Sequence, residues 1–180
     1  KYYSVTFLDK DSKLIATVKN VASGSTVGEL DGYDHYAEDS TFMYWQDQDS
    51  NVITTLTPVE KALTLSPVFA KDTPVEVHSV DDLKAKLADS SVTTIILGTP
   101  AAADSYVVDE TISIDRSVTI LGNGTTLKRG ENCKDAVMQT TGAKTAAEII
   151  GVTVDGQSVE SERAAVLALD GSKLTLTNVT

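Results

Sequence analysis

The chain has 180 residues, 41% of them hydrophobic and 23% charged, with a formal charge of -11, which is globular composition rather than that of a disordered chain. So acidic a balance leaves no basic footprint for a polyanion, and nucleic acid is excluded as a partner. No run of 18 apolar residues occurs, so no membrane-inserted helix is expected, and the single cysteine, Cys133, excludes an intrachain disulfide and any Cys/His zinc spacing.

Aromatic residues partition the chain. Tyr2, Tyr3, Phe7, Tyr33, Tyr36, Phe42, Tyr44, Trp45 and Phe69 all precede Lys71, and only Tyr106 follows it. Two differently built cores are therefore expected, one in residues 1–72 and one in residues 75–180. The segment between them, Ala70-Lys71-Asp72-Thr73-Pro74, is short, polar and ends in proline, as suits a boundary. The acidity is shared: residues 1–74 carry six Lys against eleven Asp and Glu, and residues 75–180 nine Lys and Arg against fifteen.

In the first part, Tyr3, Val5 and Phe7 alternate with smaller residues, Asp9 to Ser12 supplies a turn, and Leu14 to Val18 returns, which predicts a β-hairpin. A polar, glycine-bearing connection runs from Asn20 to Ser40, with room for one helical turn at Val27, Leu30 and Tyr33. Further strands are expected at Thr41 to Gln46, Val52 to Leu56 and Ala62 to Phe69. The blocks Tyr3-Ser-Val-Thr-Phe7, Asp9-Lys-Asp-Ser-Lys-Leu-Ile15, Gly24-Ser-Thr-Val27, Phe42-Met-Tyr-Trp45 and Leu63-Thr-Leu65 to Phe69 resemble the Listeria-Bacteroides repeat, or internalin B-repeat. That resemblance covers residues 3–70 and implies a β-grasp-like fold serving as a spacer or interaction module in bacterial surface proteins. Tyr44 stands where the family has a glycine before its tryptophan.

Two groups in this module invite chemistry. Asp47-x-Asp49-x-Asn51 has the spacing that begins a calcium loop, but Val52 and Pro58 occupy the glycine and bidentate-carboxylate positions, so a solvated hairpin turn is expected and no metal site. Tyr33, Tyr36, Tyr44 and Trp45 are the candidate binding residues, a set of rings able to stack on a glycan. Core packing competes for the same rings, because so small a domain has few other large side chains.

After the boundary, Val75 to Val77 predicts a short strand and Ser79-x-x-Asp82 a helix N-terminus, with Asp81 and Asp82 where the dipole favours acids. Val80, Leu83, Leu87 and Ala88 fall on one face of a helix of about ten residues. Such a helix has a use before a stack of strands, where it covers the solenoid's open apolar end.

From Thr93 to Thr180, short apolar strands recur. At an offset of 29, Val108 falls on Val137 and Val166, Ser113 on Gly142 and Gly171, and Gly122 on Gly151, which predicts stacked turns of a solenoid. Val, Ile, Leu and Ala are read as inward, Thr, Ser, Asp and Lys as outward, and Leu127 to Lys134 and Gln157 to Arg163 as projecting loops. The order helix, Thr94-Ile-Ile-Leu97, Tyr106-Val-Val108, Thr111-Ile-Ser-Ile114, Val118-Thr-Ile-Leu-Gly-Asn-Gly124 resembles the opening of the pectate-lyase-like right-handed parallel β-helix superfamily. The resemblance covers residues 78–180 and implies the fold, which serves lyases, glycosidases, tailspikes and adhesins alike. The expected class is mainly β: a small β-grasp-like domain, a capping helix, then the first turns of a right-handed parallel β-helix.

Catalytic signals are thin. Gly122-Asn-Gly124 lacks the third glycine and following helix of a dinucleotide loop, no Gly-x-Ser-x-Gly elbow exists, and His35 and His78 fall in different domains. No catalytic residue and no cofactor is assigned. The chain ends in a strand-like run, Leu174 to Thr180, and reads as a fragment of a longer extracellular or bacterial cell-surface protein. The expected role is a non-catalytic adhesion or spacer module. The alternatives are the N-terminal part of a carbohydrate-active β-helix enzyme whose catalytic turns lie beyond residue 180, and a glycan-binding module. Expected partners are a host or cell-wall glycan or a surface protein, with self-association through the open C-terminal end of the coil.

Overall fold

The computed structural model describes residues 1–33, 42–70, 73–157, 161 and 163–180. The chain divides into two units, Lys1–Thr73 and Pro74–Thr180.

In the first unit, β1 (Tyr2–Leu8) and β2 (Leu14–Ala22) form an antiparallel hairpin, and β3 (Phe42–Gln46) and β4 (Val52–Ile53) form another. Between them lies β5 (Leu63–Phe69), parallel to β1 and antiparallel to β3, giving the order β2-β1-β5-β3-β4. A mixed sheet whose first and last strands run parallel at its centre is the β-grasp arrangement. Val5, Phe7, Trp45, Leu63 and Leu65 alternate onto one face and are buried, each contributing about 1.5–3 kcal/mol by leaving water.

Both hairpins are closed by one five-residue device, Asp9-Lys-Asp-Ser-Lys13 and Asp47-Gln-Asp-Ser-Asn51. In each, the first Asp carboxylate accepts from the backbone N–H groups two and four residues on, at 2.8 to 2.9 Å. The Ser is left-handed, with φ 62 at Ser12 and φ 65 at Ser50. Short Asp side chains stabilise such turns by mimicking a backbone carbonyl. The expected strand Val52 to Leu56 stops at Ile53, because Thr54 N–H donates to Thr57 Oγ1 at 2.9 Å and turns the chain. The helical turn is a 3-10 turn at Val27–Glu29, where Thr26 N–H donates to Glu29 Oε2 at 3.0 Å.

The second unit begins with β6 (Val75–Val77) and α1 (Val80–Ala88), and continues through β7 (Thr94–Leu97), β8 (Val107–Val108), β9 (Ile112–Ile114), β10 (Val118–Leu121), β11 (Thr126–Arg129) and β12 (Met138–Thr140). It ends with β13 (Ala146–Ile150), β14 (Thr153–Asp155), β15 (Val166–Ala168) and β16 (Lys173–Thr177). Three parallel sheets result, ordered β16-β13-β10-β7-β6, β14-β11-β8 and β15-β12-β9. Every third strand joins the same sheet, so the chain coils as a parallel β-helix. Successive turns of its first sheet stack Ile95, Ile120 and Ile149 inward in register, all within 1% of complete burial.

Stacking also corrects the fixed period. Gly122 does lie on Gly151, since Leu121 pairs with Ile150. Val108, however, pairs with Arg129, and Ser113 with Gln139. Strand pairing fixes each rung locally, while the loops between strands differ in length, so no single offset holds round the coil. The first projecting loop is also shorter at its start than expected: Leu127 is fully buried in β11, and Arg129 at that strand's end is 5% exposed.

Helix α1 is capped by Ser79, whose Oγ accepts from Asp82 N–H at 3.1 Å. Val80, Leu83 and Leu87 are buried in the same cluster as Val77, Val92 and Ile95 at the start of the coil. Ala88 is exposed instead of facing that core, because the helix ends there and the core is already met by Leu87. The Gly122-Asn-Gly124 motif is a corner: Gly122 N–H donates to Ile150 O at 2.7 Å and Gly124 N–H to Gly151 O at 2.8 Å, with Asn123 and Gly124 left-handed.

Candidate functional site

Where the second sheet hands over to the third, one connection from each of three successive turns meets in a groove of about 860 Å³. The lowest turn contributes Asp109, Glu110 and Thr111, the next Asn132 to Asp135, and the last Ser161 and Arg163.

Local hydrogen bonds fix these loops. Thr111 Oγ1 donates to Ala136 O at 2.6 Å, and Ile112 N–H to Val137 O at 2.9 Å, which ties the lowest turn to the middle one. Ser161 Oγ donates to Lys134 O at 3.1 Å, and Val137 N–H donates to Ala165 O at 2.8 Å, which ties the middle turn to the upper one. Asp135 folds back to accept from Ala136 N–H at 2.8 Å and lies 3.4 Å from Arg163 Nε, across two turns of the coil. Both side chains are about half exposed, so the pair holds little energy and opens readily to a ligand. Cys133 is 2% exposed and lies against Asp135 O and Ala136 O.

The groove therefore offers cationic donors from Lys134 and Arg163 and carboxylate acceptors from Asp109, Glu110 and Asp135 within one concavity, with no aromatic ring among the described residues of its wall. That is equipment for gripping a polar ligand by hydrogen bonds and charge. Among the described residues no three His, Cys, Asp or Glu side chains cluster as a metal site would need. His78 is engaged elsewhere, its Nδ1 2.9 Å from Thr99 O.

Half of this site was visible in the sequence as projecting loops, since Asn132 to Lys134, Ser161 and Arg163 fall within them. Asp109 to Thr111 were not, because the turn that carries them is short and gives no signal of its own.

The aromatic candidates belong to the other unit. Trp45 is fully buried, meets Phe7 and Phe42 edge to face at 5.1 and 5.5 Å, and donates its Nε1–H to Tyr33 O at 3.2 Å. A ring with no exposed surface has no face for a sugar, so Trp45 is a core residue here. Tyr33 is half-buried against the same core, and burial pushes its phenol up to about 12, against a lowering hydrogen bond with the Thr55 backbone. Tyr44 is half-buried in β3. Tyr36 lies outside the described residues.

Three parallel sheets wound in successive turns behind a capping helix define the class of parallel β-helix solenoids. Residues 74–180 match the family described as "Putative pectate lyase-like adhesive domain", and the chain belongs to that family. No curated protein and no solved structure gives a significant match. The family assigns an adhesion-type module, and no helix among the described residues is long and apolar enough to cross a membrane.

Proposed function

We propose that the chain is a non-catalytic adhesion module of a secreted or cell-surface bacterial protein, with the N-terminal unit acting as a Listeria-Bacteroides repeat-like spacer and the coil holding the partner. The observation that carries this reading is the groove walled by Asp109, Asp135 and Arg163 from three consecutive turns. A contact surface that spans turns suits an elongated polar partner, a glycan chain or an extended segment of a surface protein. An acidic protein of this charge also gains little from non-specific attraction to anionic surfaces.

The test is binding of the fluorescently labelled chain to fixed animal cells and to purified bacterial cell walls. Binding to one of them above an unrelated acidic protein is expected, with a loss of about tenfold for Lys134→Ala combined with Arg163→Ala. Binding no greater than the control, or release of new reducing ends from a bound polysaccharide, would overturn the non-catalytic adhesion reading.

Self-association is supported by a separate observation. Strands β15 and β16 stand last in their sheets, on the same side, and Leu176 is 46% exposed there, whereas the β14 edge is met by Thr180, which accepts from Val154 N–H at 2.8 Å and donates to Val152 O at 3.2 Å. Unpaired strand edges beside apolar side chains template pairing with another chain. Sedimentation velocity across a concentration series is expected to show a dimer that Leu176→Lys weakens, and a monomer at every concentration would rule it out.

A further inference from the structure

A second concavity, of about 470 Å³, lies on the N-terminal unit and is lined by Tyr2, Tyr3, Ser4, Lys19, Asn20 and Ala62. Its floor is made of small residues. Val5 pairs with Leu63 in parallel register, which sets Ser4 beside Ala62, the residue just before β5 begins. Its rim is made by a break in the β1–β2 ladder: Tyr3 pairs with Val21 but Val5 with Val18, so Ser4 alone stands opposite both Lys19 and Asn20. Asn20 is left-handed, with φ 58. Bulges of this kind re-aim side chains, and Asn is among the residues that take the left-handed conformation most readily.

Beside the bulge, Tyr2 is 73% exposed, more than any other large hydrophobic residue described as exposed. Tyr3, the other ring in the lining, is half-buried and packs against the core, so Tyr2 is the ring this dish exposes most to solvent. By alternation along β1, Ser4 and Thr6 share the face opposite Val5 and Phe7. Thr6 pairs with Thr17 on β2 and with Thr64 on β5, its Oγ1 lying 3.4 Å from Thr17 Oγ1. A row of hydroxyls therefore continues from the dish across three strands.

We propose that this dish is a saccharide-binding subsite, in which the Tyr2 ring stacks on the apolar face of a pyranose while Ser4, Lys19 and Asn20 bond its hydroxyl or carboxylate substituents. A pyranose presents C–H groups on one face and polar groups round its edge. The dish matches both, with one exposed aromatic plane, a small floor and a polar rim. The adjoining Thr row gives a second sugar ring hydrogen-bonding partners, which favours an oligosaccharide. An apolar peptide anchor would instead leave the polar rim unpaired.

The experiment probes an oligosaccharide array with the intact chain, the array including N-acetylchitotetraose as a neutral probe and a hyaluronan tetrasaccharide as a uronic acid probe. Titration calorimetry of the best-bound member then compares variants of the intact chain. Tyr2→Ala is expected to weaken binding roughly tenfold, Ala62→Arg to abolish it by filling the floor, and Tyr2→Phe to preserve it. Arg163→Ala, in the coil groove, is expected to leave it unchanged. Because Tyr2 is exposed, its variants should keep the wild-type circular dichroism and melting temperature. No array member bound above an unrelated acidic protein, or binding that survives Tyr2→Ala, overturns the proposal. Binding lost in Arg163→Ala but not Tyr2→Ala overturns it too, and assigns the sugar to the coil groove instead.

Discussion

Arg116 closes the helix that precedes it by almost thirty residues: its Nε donates to Leu87 O at 2.8 Å and its Nη2 to Lys86 O at 3.0 Å. The last carbonyls of a helix have no intrahelical donor, and here the connection between β9 and β10 supplies a guanidinium to them. The positive charge also sits at the negative end of the helix dipole. Cap and coil are thereby joined by a polar clamp as well as by the apolar contacts of Leu83 and Leu87. Arg116→Ala should destabilise the coil unit by about 2 kcal/mol, and Arg116→Lys should recover only part, since an ammonium cannot reproduce the planar fork. Hydrogen exchange should show the loss first in the amides of Val80–Ala88.

Acid should weaken the N-terminal unit in a defined window. Burial by itself would raise the Asp47 carboxyl, but hydrogen bonds from the Asn51 side chain and backbone, from Lys61 and from Asp49 N–H outweigh it and hold the pKa at about 2. In the unfolded chain an Asp protonates near 4, so as pH falls the unfolded state takes up the proton first. The contribution of Asp47 is therefore intact above about pH 5 and is lost between about pH 4 and pH 2. Denaturant midpoints followed by Trp45 fluorescence should fall over that window, and Asp47→Asn should flatten the fall. An unchanged pH profile in the variant would count against this assignment.

The paired hairpin devices predict a gain from glycine. Ser12 and Ser50 are left-handed, a conformation that costs an L-residue about 1–2 kcal/mol and costs glycine little. Ser12→Gly and Ser50→Gly should each raise the stability of the N-terminal unit by about 0.5–1 kcal/mol, after allowance for glycine's freer unfolded state. Ser50→Val should lower it, because a β-branched residue is strained there.

Two glycines of the coil should respond oppositely. A Cβ at Gly122 would lie 2.4 Å from Val152 Cγ2 and 2.5 Å from Gly151 O, whereas one at Gly156 meets nothing within 4 Å. The obstruction at Gly122 includes backbone of the next turn, which cannot step aside. Gly122→Ala should cost about 1–3 kcal/mol, and Gly156→Ala should be neutral or slightly stabilising. Thermal melts of the two variants check both.

Much of this was legible from local chemistry. The Ser79 cap, the acidic first turn of α1, the Asp9 and Asp47 turns and the Gly122-Asn-Gly124 corner each depend on side chains reaching backbone groups a few residues away. Strand existence was equally local, since alternation of Val, Ile and Leu with Thr and Ser needs only one buried face. Trp45 shows the limit. Its neighbours in sequence, Tyr44 and Gln46, are half-buried, and whether the indole lay in the core or on the surface depended on Phe7, 38 positions away, closing over it.

The sequence by itself determined the mainly β class, most of the strands and the helix that precedes the coil, because these follow from composition and short-range periodicity, but it left β11 as part of a loop. Only the tertiary structure decided which turns stack on which residues. Parallel pairing fixes Val118 against Ala147 and Met138 against Val166, while loops of unequal length set the offset between one rung and the next. The groove follows from that stacking: Asp109, Asp135 and Arg163 are far apart along the chain and become neighbours because each ends the same side of a successive turn.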